Sequence, residues 1–365
     1  MSKWEMVRLG DVTENISSGR NKNRNDNGVY KVYGSTGIIG QTNSFNYNND
    51  AVLVARVGAN CGYVHLARGC YDVSDNTLVF EPNRDKLDLK FAYYQLKKLN
   101  MNQYAKGAGQ PLITGGLLKS LKIHLPPLSV QEKIADILDR TTALIEKRKA
   151  QIAKLDLLVK SQFIEMFGNN LADDAVELKR VCSIITDGTH QSPKFTNTGI
   201  PFLFVSNIVD NEINYDTKRF ISQDEYDTLI KRTPVEIGDI LLTIVGSYGN
   251  PAVVKSKRDF CFQRHIAYMK PKRDIVNSIY LHSAFLSSAV KSQIEVRVKG
   301  IAQKTLNLAE LKMVKINLPP IELQNRFADF VRAVEKSKAK MQQGLDELDL
   351  LYKSLTKKSF NGEIL

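Results

Sequence analysis

The sequence predicts a mixed α/β protein of two similar halves, each a globular domain followed by a long helix. An internal repeat is the main observation, because residues 121–167 align without a gap to residues 314–360. The offset of 193 residues far exceeds the units of about 20 to 50 residues that build solenoids. Turn-rich, strand-like sequence precedes each copy. We therefore expect a pseudo-two-fold protein, which suits a target with two halves.

Composition and charge describe a globular protein with a preference for polyanions. The 365 residues are 43% hydrophobic and 25% charged, enough to bury the cores of two or more domains. The formal net charge of +12 favours a nucleic-acid partner, although many basic proteins bind none. Four scattered cysteines without zinc-site spacing indicate free thiols in a reducing compartment. We find no signal peptide or membrane-length apolar run, so we expect a cytoplasmic protein.

Both globular segments carry the same order of strand and helix signals. In the first, we expect strands at AVLVARV, NTLVF and LKIHL, and a helix at FAYYQLKKL. In the second, we expect strands at PFLFV, DILLTIV, AVVK and HIAYM, and helices at EYDTLIK and SIYLHSAFLSSAV. Weak similarity links the two, since VARVGANCG aligns with LTIVGSYGN and SDNTLVFEP with QRHIAYMKP.

A double proline closes each globular segment, in LKIHLPP and VKINLPP. Proline displaces the preceding residue from the α region, so these pairs lie outside helices. Ser129 and Glu132 then have the spacing of a capping box, which predicts a helix start. The domains expected from these boundaries are 1–128 and 168–321, with spacer helices at 129–167 and, including the C-terminal tail, 322–365.

Apolar residues in both long helices keep a seven-residue repeat, which favours a coiled coil. About 35 residues would form a rod of roughly 50 Å. Because the ends of a compact domain usually lie close together, the helices would run antiparallel and hold two globular domains apart. Two helices packed on separate domains remain the alternative. The predicted seam comprises Ile134, Leu138, Ile145, Ile152, Leu155 and Val159, and Phe327, Val331, Val334, Met341, Leu345, Leu348, Tyr352 and Leu355.

Several local sequences point to one family. They are WEMVRLGD at 4–11, DGTH at 187–190 with GIPFL at 199–203, and SFNGEIL at 359–365. Gln110 and Gln303 also occupy matching places before the double prolines. With the duplicated helix segment, these features resemble the specificity subunit of type I restriction-modification enzymes. The two glutamines could instead support the junction between domain and helix.

The resemblance implies a non-catalytic subunit that reads a bipartite, asymmetric target in double-stranded DNA. Each globular domain would be a target-recognition domain for one half-site. The coiled coil would set the gap and dock two methyltransferase subunits, and restriction subunits would complete the complex. This chain would bind no cofactor, since S-adenosylmethionine belongs to the methyltransferase subunits, and ATP and Mg²⁺ to the restriction subunits. Such complexes methylate DNA and defend bacterial or archaeal cells against foreign DNA.

Candidate DNA contacts are loop residues with polar or cationic side chains, because loops on a rigid frame carry recognition. Cations would bind phosphates, and polar groups would read base edges. A turn-stabilising or solvated role is the alternative for each. The first domain offers Lys22, Arg24, Ser35, Thr36, Arg56, Lys106 and Gln110. The second offers Thr189, His190, Lys194, Ser206, Asn207, Ser247, Tyr248, Arg264, His265, Lys299 and Gln303.

Enzymatic alternatives find little support in the sequence. His190 lacks an accompanying nucleophile motif, which favours a loop or packing role over catalysis. The sequence NLPP at 317–320 is not the Asn-Pro-Pro-Tyr motif of adenine methyltransferases, because a leucine intervenes. No GxxxxGK[ST] phosphate-binding loop occurs. An enzyme with an eroded motif and a stand-alone DNA-binding regulator or scaffold remain the competing functions.

Overall fold

Two compact units make up the structure, a computed structural model that describes residues 4–25, 27–104, 111–300 and 303–363. Unit 1 comprises residues 1–150 and 342–365, and unit 2 comprises residues 151–341. Each unit therefore contains one globular part and a portion of each long helix.

Unit 1 is a mixed α/β structure around a four-stranded antiparallel sheet of order β2-β8-β5-β6, beside a smaller sheet of order β4-β3-β7. The predicted strands and helix are confirmed as β5, β8, β9 and α1. The elements are β1 (Glu5–Arg8), β2 (Thr13–Ser18), β3 (Tyr30–Gly34), β4 (Gly37–Thr42), β5 (Ala51–Ala55), β6 (Val64–Ala67), β7 (Tyr71–Val73), β8 (Thr77–Pro82), α1 (Leu89–Lys98), α2 (Gly115–Ser120), β9 (Lys122–Leu125) and α3 (Leu128–Phe167), with 3₁₀ turns at Leu9–Val12 and Met101–Tyr104.

Unit 2 repeats this plan with a four-stranded antiparallel sheet of order β11-β20-β17-β18. Its elements are β10 (Val176–Glu177), α4 (Leu178–Val181), β11 (Cys182–Asp187), β12 (Phe195–Thr196), β13 (Ile200–Leu203), β14 (Ile208–Val209), β15 (Glu212–Ile213), β16 (Phe220–Ile221), α5 (Gln223–Leu229), β17 (Ile240–Thr243), β18 (Pro251–Val253), β19 (Cys261–Phe262), β20 (Ile266–Pro271), α6 (Ser278–Leu286), α7 (Ser288–Arg297), α8 (Leu308–Lys312), β21 (Lys315–Ile316) and α9 (Ile321–Asn361), with a 3₁₀ turn at Val205–Asn207. The single helix predicted at SIYLHSAFLSSAV divides at Ser287, whose hydroxyl accepts the Val290 N–H and starts α7.

The two long helices pack antiparallel within each unit. In unit 1, Ile134 and Leu138 near the start of α3 share a core with Phe360 near the end of α9. In unit 2, the rings of Phe163 near the end of α3 and Phe327 near the start of α9 are 5.5 Å apart. Every residue of the predicted seam is buried or half-buried. Long-range packing of apolar faces therefore stabilises both helices.

Two buried glutamines make the same three hydrogen bonds at the start of each long helix. Gln131 Oε1 accepts the Asp88 N–H at 2.8 Å, and its Nε2 donates to the carbonyls of Lys86 and Pro126 at 2.9 and 2.8 Å. These bonds fix the start of α3 against the segment that leads into α1.

Gln324, 193 residues later, repeats the arrangement in unit 2. Its Oε1 accepts the Asn277 N–H at 2.8 Å, and its Nε2 donates to the carbonyls of Ile275 and Pro319 at 3.1 and 2.7 Å. Both glutamines are fully buried, so their amides replace the water that these backbone groups would otherwise bind.

The capping box predicted at Ser129 and Glu132 is wrong. The helix α3 already begins at Leu128, and the Pro127 carbonyl accepts the Gln131 N–H at 3.0 Å. Ser129 therefore lies inside the first helical turn, where its hydroxyl cannot act as the N-terminal cap.

A half-buried histidine should make the stability of unit 2 depend on pH. Burial lowers the pKa of His282, whose Nε2 lies 3.3 Å from the Asn211 carbonyl oxygen, with Lys255 and Glu212 nearby. Because the unfolded chain binds this proton more tightly, stability should be greatest above the ordinary histidine pKa of about 6.5 and fall as pH drops towards the folded value. We expect His282→Gln to flatten this fall, measured by urea unfolding between about pH 7.5 and 5. Equal slopes in both proteins would contradict the assignment.

Candidate nucleic-acid interface

Loops gather at one end of the four-stranded sheet of unit 1, where β2 and β5 end and β8 begins. The Gly19 N–H donates to the Thr77 carbonyl at 3.0 Å, and the Arg56 N–H donates to the Asn76 carbonyl at 2.9 Å. The Arg56 guanidinium also donates to Ser18 Oγ at 2.8 Å. We call this end of the sheet, with the loops at 19–25, 35–36, 56–58 and 74–76, the loop end of unit 1.

Unit 2 has the same loop end, where β11 and β17 finish and β20 begins. The Gly188 N–H donates to the Ile266 carbonyl at 3.2 Å, and the Ile244 N–H donates to the His265 carbonyl at 2.9 Å. Its loops are at 188–194, 204–207, 245–249, 263–265 and, among the described residues, 299–300 and 303–305. The last of these joins the group because the Gly246 N–H donates to the Lys304 carbonyl at 2.9 Å.

A glycine permits the same close crossing of chains in both units. A Cβ on Gly19 would lie 2.2 Å from the Ser74 carbonyl oxygen, and one on Gly188 would lie 2.1 Å from that of Phe262. Any side chain would separate these backbones, so glycine is required at both positions. At this crossing, the loop that follows the glycine passes the start of β8 in unit 1 and the start of β20 in unit 2.

Most sequence-predicted contacts are accessible at the loop ends. Lys106 and Gln110 lie outside the described residues. Ser35, Arg56, Thr189, Tyr248 and His265 are half-buried. The exposed candidates are Lys22, Arg24, Thr36, His190, Lys194, Ser206, Ser247, Arg264, Lys299 and Gln303.

Asn207 requires a correction. Its side chain is buried; its Oδ1 accepts the Phe204 N–H at 2.9 Å, and its Nδ2 donates to the carbonyls of Asn214 and Asp216 at 2.9 and 3.0 Å. An amide that closes its own loop in this way has no group left for a base. We therefore replace the predicted DNA contact of Asn207 by a structural role.

Gln303 does not support the junction between domain and helix. It is exposed in the turn that follows Lys299, where the Lys299 and Thr305 backbones pair. The junction bonds belong to Gln131 and Gln324 instead. This leaves Gln303 available at the loop end.

Asp187 fixes the loop of unit 2 that carries His190. Its carboxylate lies 2.8 Å from His190 Nε2 and 2.5 Å from Arg232 Nη2, and it is itself buried. Thr189 Oγ1 donates to the Gln191 carbonyl at 3.1 Å, which closes the adjoining turn. Sequence reasoning missed Arg232, because an arginine in a turn gives no sign of its distant carboxylate partner.

A cleft of about 240 Å³ opens beside this loop. Thr189, His190, Arg264 and His265 line it with the ring of Phe204. Burial lowers the pKa of His265, and the neighbouring Arg264 charge adds to the effect. His265 is therefore largely neutral near pH 7, and Arg264 supplies the positive charge.

The cationic loop of unit 1 is held by its asparagines. Asn21 Nδ2 donates to the buried Asp72 carboxylate at 2.6 Å, and the Asn25 N–H donates to the Gln41 carbonyl at 2.8 Å. Lys22 and Arg24 lie between these anchors, and neither pairs with a carboxylate within the described ranges. Ordered backbone with free cations is what phosphate contacts require.

Asp75 and Asn76 are exposed at the loop end of unit 1 and were missed as candidates. They occupy the place that Arg264 and His265 occupy in unit 2. The alignment of SDNTLVFEP with QRHIAYMKP contained the signal, since it pairs these residues directly.

The structure gives no sign of a metal site or a membrane span within the described ranges, and its cysteines are unpaired. Across the described residues, no group of His, Cys, Asp and Glu side chains has the arrangement of a metal site. No helix in the same ranges is long and apolar enough to span a membrane. The four cysteines are free, and Cys70 alone among them is exposed.

Comparison with known proteins places these features in one family. The sequence model of the type I restriction modification DNA specificity domain matches residues 1–155 and 174–349. The EcoBI specificity subunit of Escherichia coli is 26% identical over 324 residues, spanning 78% of this chain and 67% of that protein. The MjaVIII specificity subunit of Methanocaldococcus jannaschii is 24% identical over 375 residues, spanning 91% and 86%.

Solved structures share the fold. The S subunit of a type I restriction-modification system from M. genitalium superposes with a TM-score of 0.63 at 18% identity, covering 98% of this chain and 96% of that one. A chain from a study of type I complex assembly gives a TM-score of 0.57 at 20% identity, covering 99% and 98%. With two matched segments that span most of its length, the chain belongs to the type I restriction modification DNA specificity family.

Proposed function

We propose that this chain is the non-catalytic DNA-reading subunit of a type I restriction-modification complex, with each unit reading one half of a bipartite, asymmetric target. The supporting observation is the loop end, which has the same backbone frame in both units but different side chains. Side chains that maintain a shared frame stay alike, whereas those that read different sequences diverge. Methyl transfer and cleavage would belong to partner subunits, which would hold S-adenosylmethionine, ATP and Mg²⁺ in the cytoplasm of the host.

Two identical partners would fit a surface that both long helices repeat. Leu157 and Leu158 of α3 are 62% and 45% exposed, and Leu350 and Leu351 of α9 are 65% and 47% exposed. The pairs are 193 residues apart in the sequence LDLL. An exposed leucine pair that occurs in the same sequence of both long helices favours two copies of one partner protein, each with an apolar surface that covers one pair. We assign them to the two methyltransferase subunits, one for each unit.

The experiment is co-expression with the methyltransferase subunits in a host that lacks other DNA methylation. Methylation-aware sequencing should then find one bipartite motif with a fixed gap. A contiguous motif, or no methylation by a correctly assembled complex, would contradict the proposal. Tight specific binding by this chain without the methyltransferase would favour a stand-alone regulator.

Removing two phosphate-binding cations should weaken DNA binding without changing its sequence preference. For Lys22→Ala/Arg24→Ala, we expect the slope of log affinity against log salt concentration to fall by about 2 in magnitude. Binding titrations of the complex from about 50 to 200 mM salt measure this slope. Arg68→Ala is the matched control, because Arg68 is an exposed cation in the β6–β7 turn at the opposite end of the sheet. An unchanged slope in the double variant would remove these residues from the interface.

A further inference from the structure

One turn at the loop end has the same backbone in both units but opposite side-chain chemistry. In unit 1, the turn Asp75–Asn76 joins β7 to β8. Three backbone hydrogen bonds hold it, from Ser74 N–H to the Tyr33 carbonyl at 2.8 Å, from Thr77 N–H to the Ser74 carbonyl at 3.2 Å, and from Arg56 N–H to the Asn76 carbonyl at 2.9 Å.

The turn Arg264–His265, between β19 and β20, has the equivalent bonds in unit 2. Gln263 N–H donates to the Leu203 carbonyl at 3.1 Å, and Ile266 N–H donates to the Gln263 carbonyl at 3.1 Å. Ile244 N–H donates to the His265 carbonyl at 2.9 Å. The same three backbone hydrogen bonds therefore hold each turn in place, before β8 in unit 1 and before β20 in unit 2. The two turns differ in their side chains.

These side chains point to no partner inside their own unit. Asp75, Asn76 and Arg264 are exposed, and His265 is half-buried. Within the described ranges, the side chains of Asp75, Asn76 and Arg264 make neither a hydrogen bond nor an ion pair. Their backbone frame is the same in both units, while the hydrogen-bonding groups of their side chains remain unused, which is the arrangement expected of residues that read a ligand.

The two turns have complementary hydrogen-bonding abilities. The Asp75 carboxylate and the Asn76 amide oxygen accept hydrogen bonds, as the amino groups of cytosine and adenine in the major groove require. The Arg264 guanidinium can donate two parallel hydrogen bonds, which would match O6 and N7 of guanine. A carboxylate repels phosphates, so Asp75 at a DNA-facing surface is explained by contact with a base amino group.

We propose that this turn is the specificity-determining element of each unit. Asp75–Asn76 reads a base that carries a major-groove amino group in one half-site, and Arg264–His265 reads a guanine in the other. This inference rests on the proposed function of the chain as a DNA reader, and it names the residues that distinguish the two half-sites.

The test exchanges the turns within the complete methyltransferase complex. Asp75→Arg/Asn76→His should replace adenine or cytosine by guanine at one position of one half-site. Arg264→Asp/His265→Asn should make the opposite change in the other. Methylation-aware sequencing reads both, with the second half-site and the gap unchanged. Preference for the original base should fall roughly 5- to 150-fold, and variants that methylate the original motif at the original rate would overturn the proposal.

A second variant decides the matter if the exchanged turns prevent folding. Arg264→Lys retains the positive charge but loses the two-pronged donor. It should relax discrimination at the guanine position and leave the salt dependence of non-specific binding unchanged. Full discrimination by this variant at every position would overturn the proposal. Lys257→Ala, at the opposite end of the unit 2 sheet, should change nothing.

Failure of the proposed function gives a different result. In that case the unmodified complex itself would methylate no bipartite motif, whereas failure of this inference alone leaves that motif intact in every turn variant.

Discussion

Replacing Gln324 with leucine should lower the free energy of unfolding of unit 2 by about 3 to 5 kcal/mol. The change leaves the Asn277 N–H and the carbonyls of Ile275 and Pro319 without their partner. Each buried polar group left unpaired costs roughly 1 to 3 kcal/mol. Gln131→Leu should do the same to unit 1, because the second glutamine makes the same three bonds.

Amide hydrogen exchange separates the two effects. Protection of β20 should fall in the Gln324 variant and protection of β8 in the Gln131 variant, since each strand lies in the core of its own unit. Arg326→Leu and Lys133→Leu are matched controls, because both replace exposed residues of the same helical turn, 193 positions apart. Unchanged protection in the glutamine variants would show that the junction does not depend on these amides.

Charging one exposed leucine pair should remove one methyltransferase subunit from the complex. Each buried leucine contributes roughly 1.5 to 3 kcal/mol, so Leu350→Glu/Leu351→Glu should weaken docking at that site at least about 100-fold. Leu157→Glu/Leu158→Glu should remove the other copy.

Native mass spectrometry counts the subunits in each assembly. We expect one methyltransferase per chain in either pair variant and none when all four leucines are replaced. Leu144→Glu serves as the control, because Leu144 is exposed on α3 but its counterpart in α9 is Ser337. Two methyltransferase copies on a folded pair variant would contradict this assignment of the surface.

The sequence predicted the main elements because they depend on local patterns. The strands at AVLVARV and NTLVF follow from short β-branched or aromatic runs between turn residues, and the two long helices follow from heptad spacing; all are present. The division of each helix between the units could not be read in the same way, because it depends on contacts between residues 164 or more positions apart, such as Phe163 with Phe327 and Ile134 with Phe360. Phe163 and Phe327 give no local sign that their rings meet.

Polar residues were harder to interpret, because the same side chain can close a loop or face solvent. Asn207 is of a residue type that often contacts DNA, but its side-chain amide is already hydrogen-bonded to three backbone groups. Gln324 shows the reverse case. A glutamine in a helix suggests an exposed surface position, yet this side chain is fully buried. Comparison of the repeats would have found both Gln324 and Asp75. The first is identical in the two copies, as Gln131 and Gln324, whereas the second aligns with an arginine, Arg264.

The central claim is that each unit reads one half-site independently. The strand pairs β1–β9 and β10–β21 bring the ends of each globular part together, with Val176 opposite Ile316 in unit 2. Residues 176–316 therefore form a natural segment for exchange with another specificity subunit. Methylation-aware sequencing of the exchanged complex should find one new half-site, with the other half-site and the gap retained. A change in both half-sites, or in neither, would contradict the account.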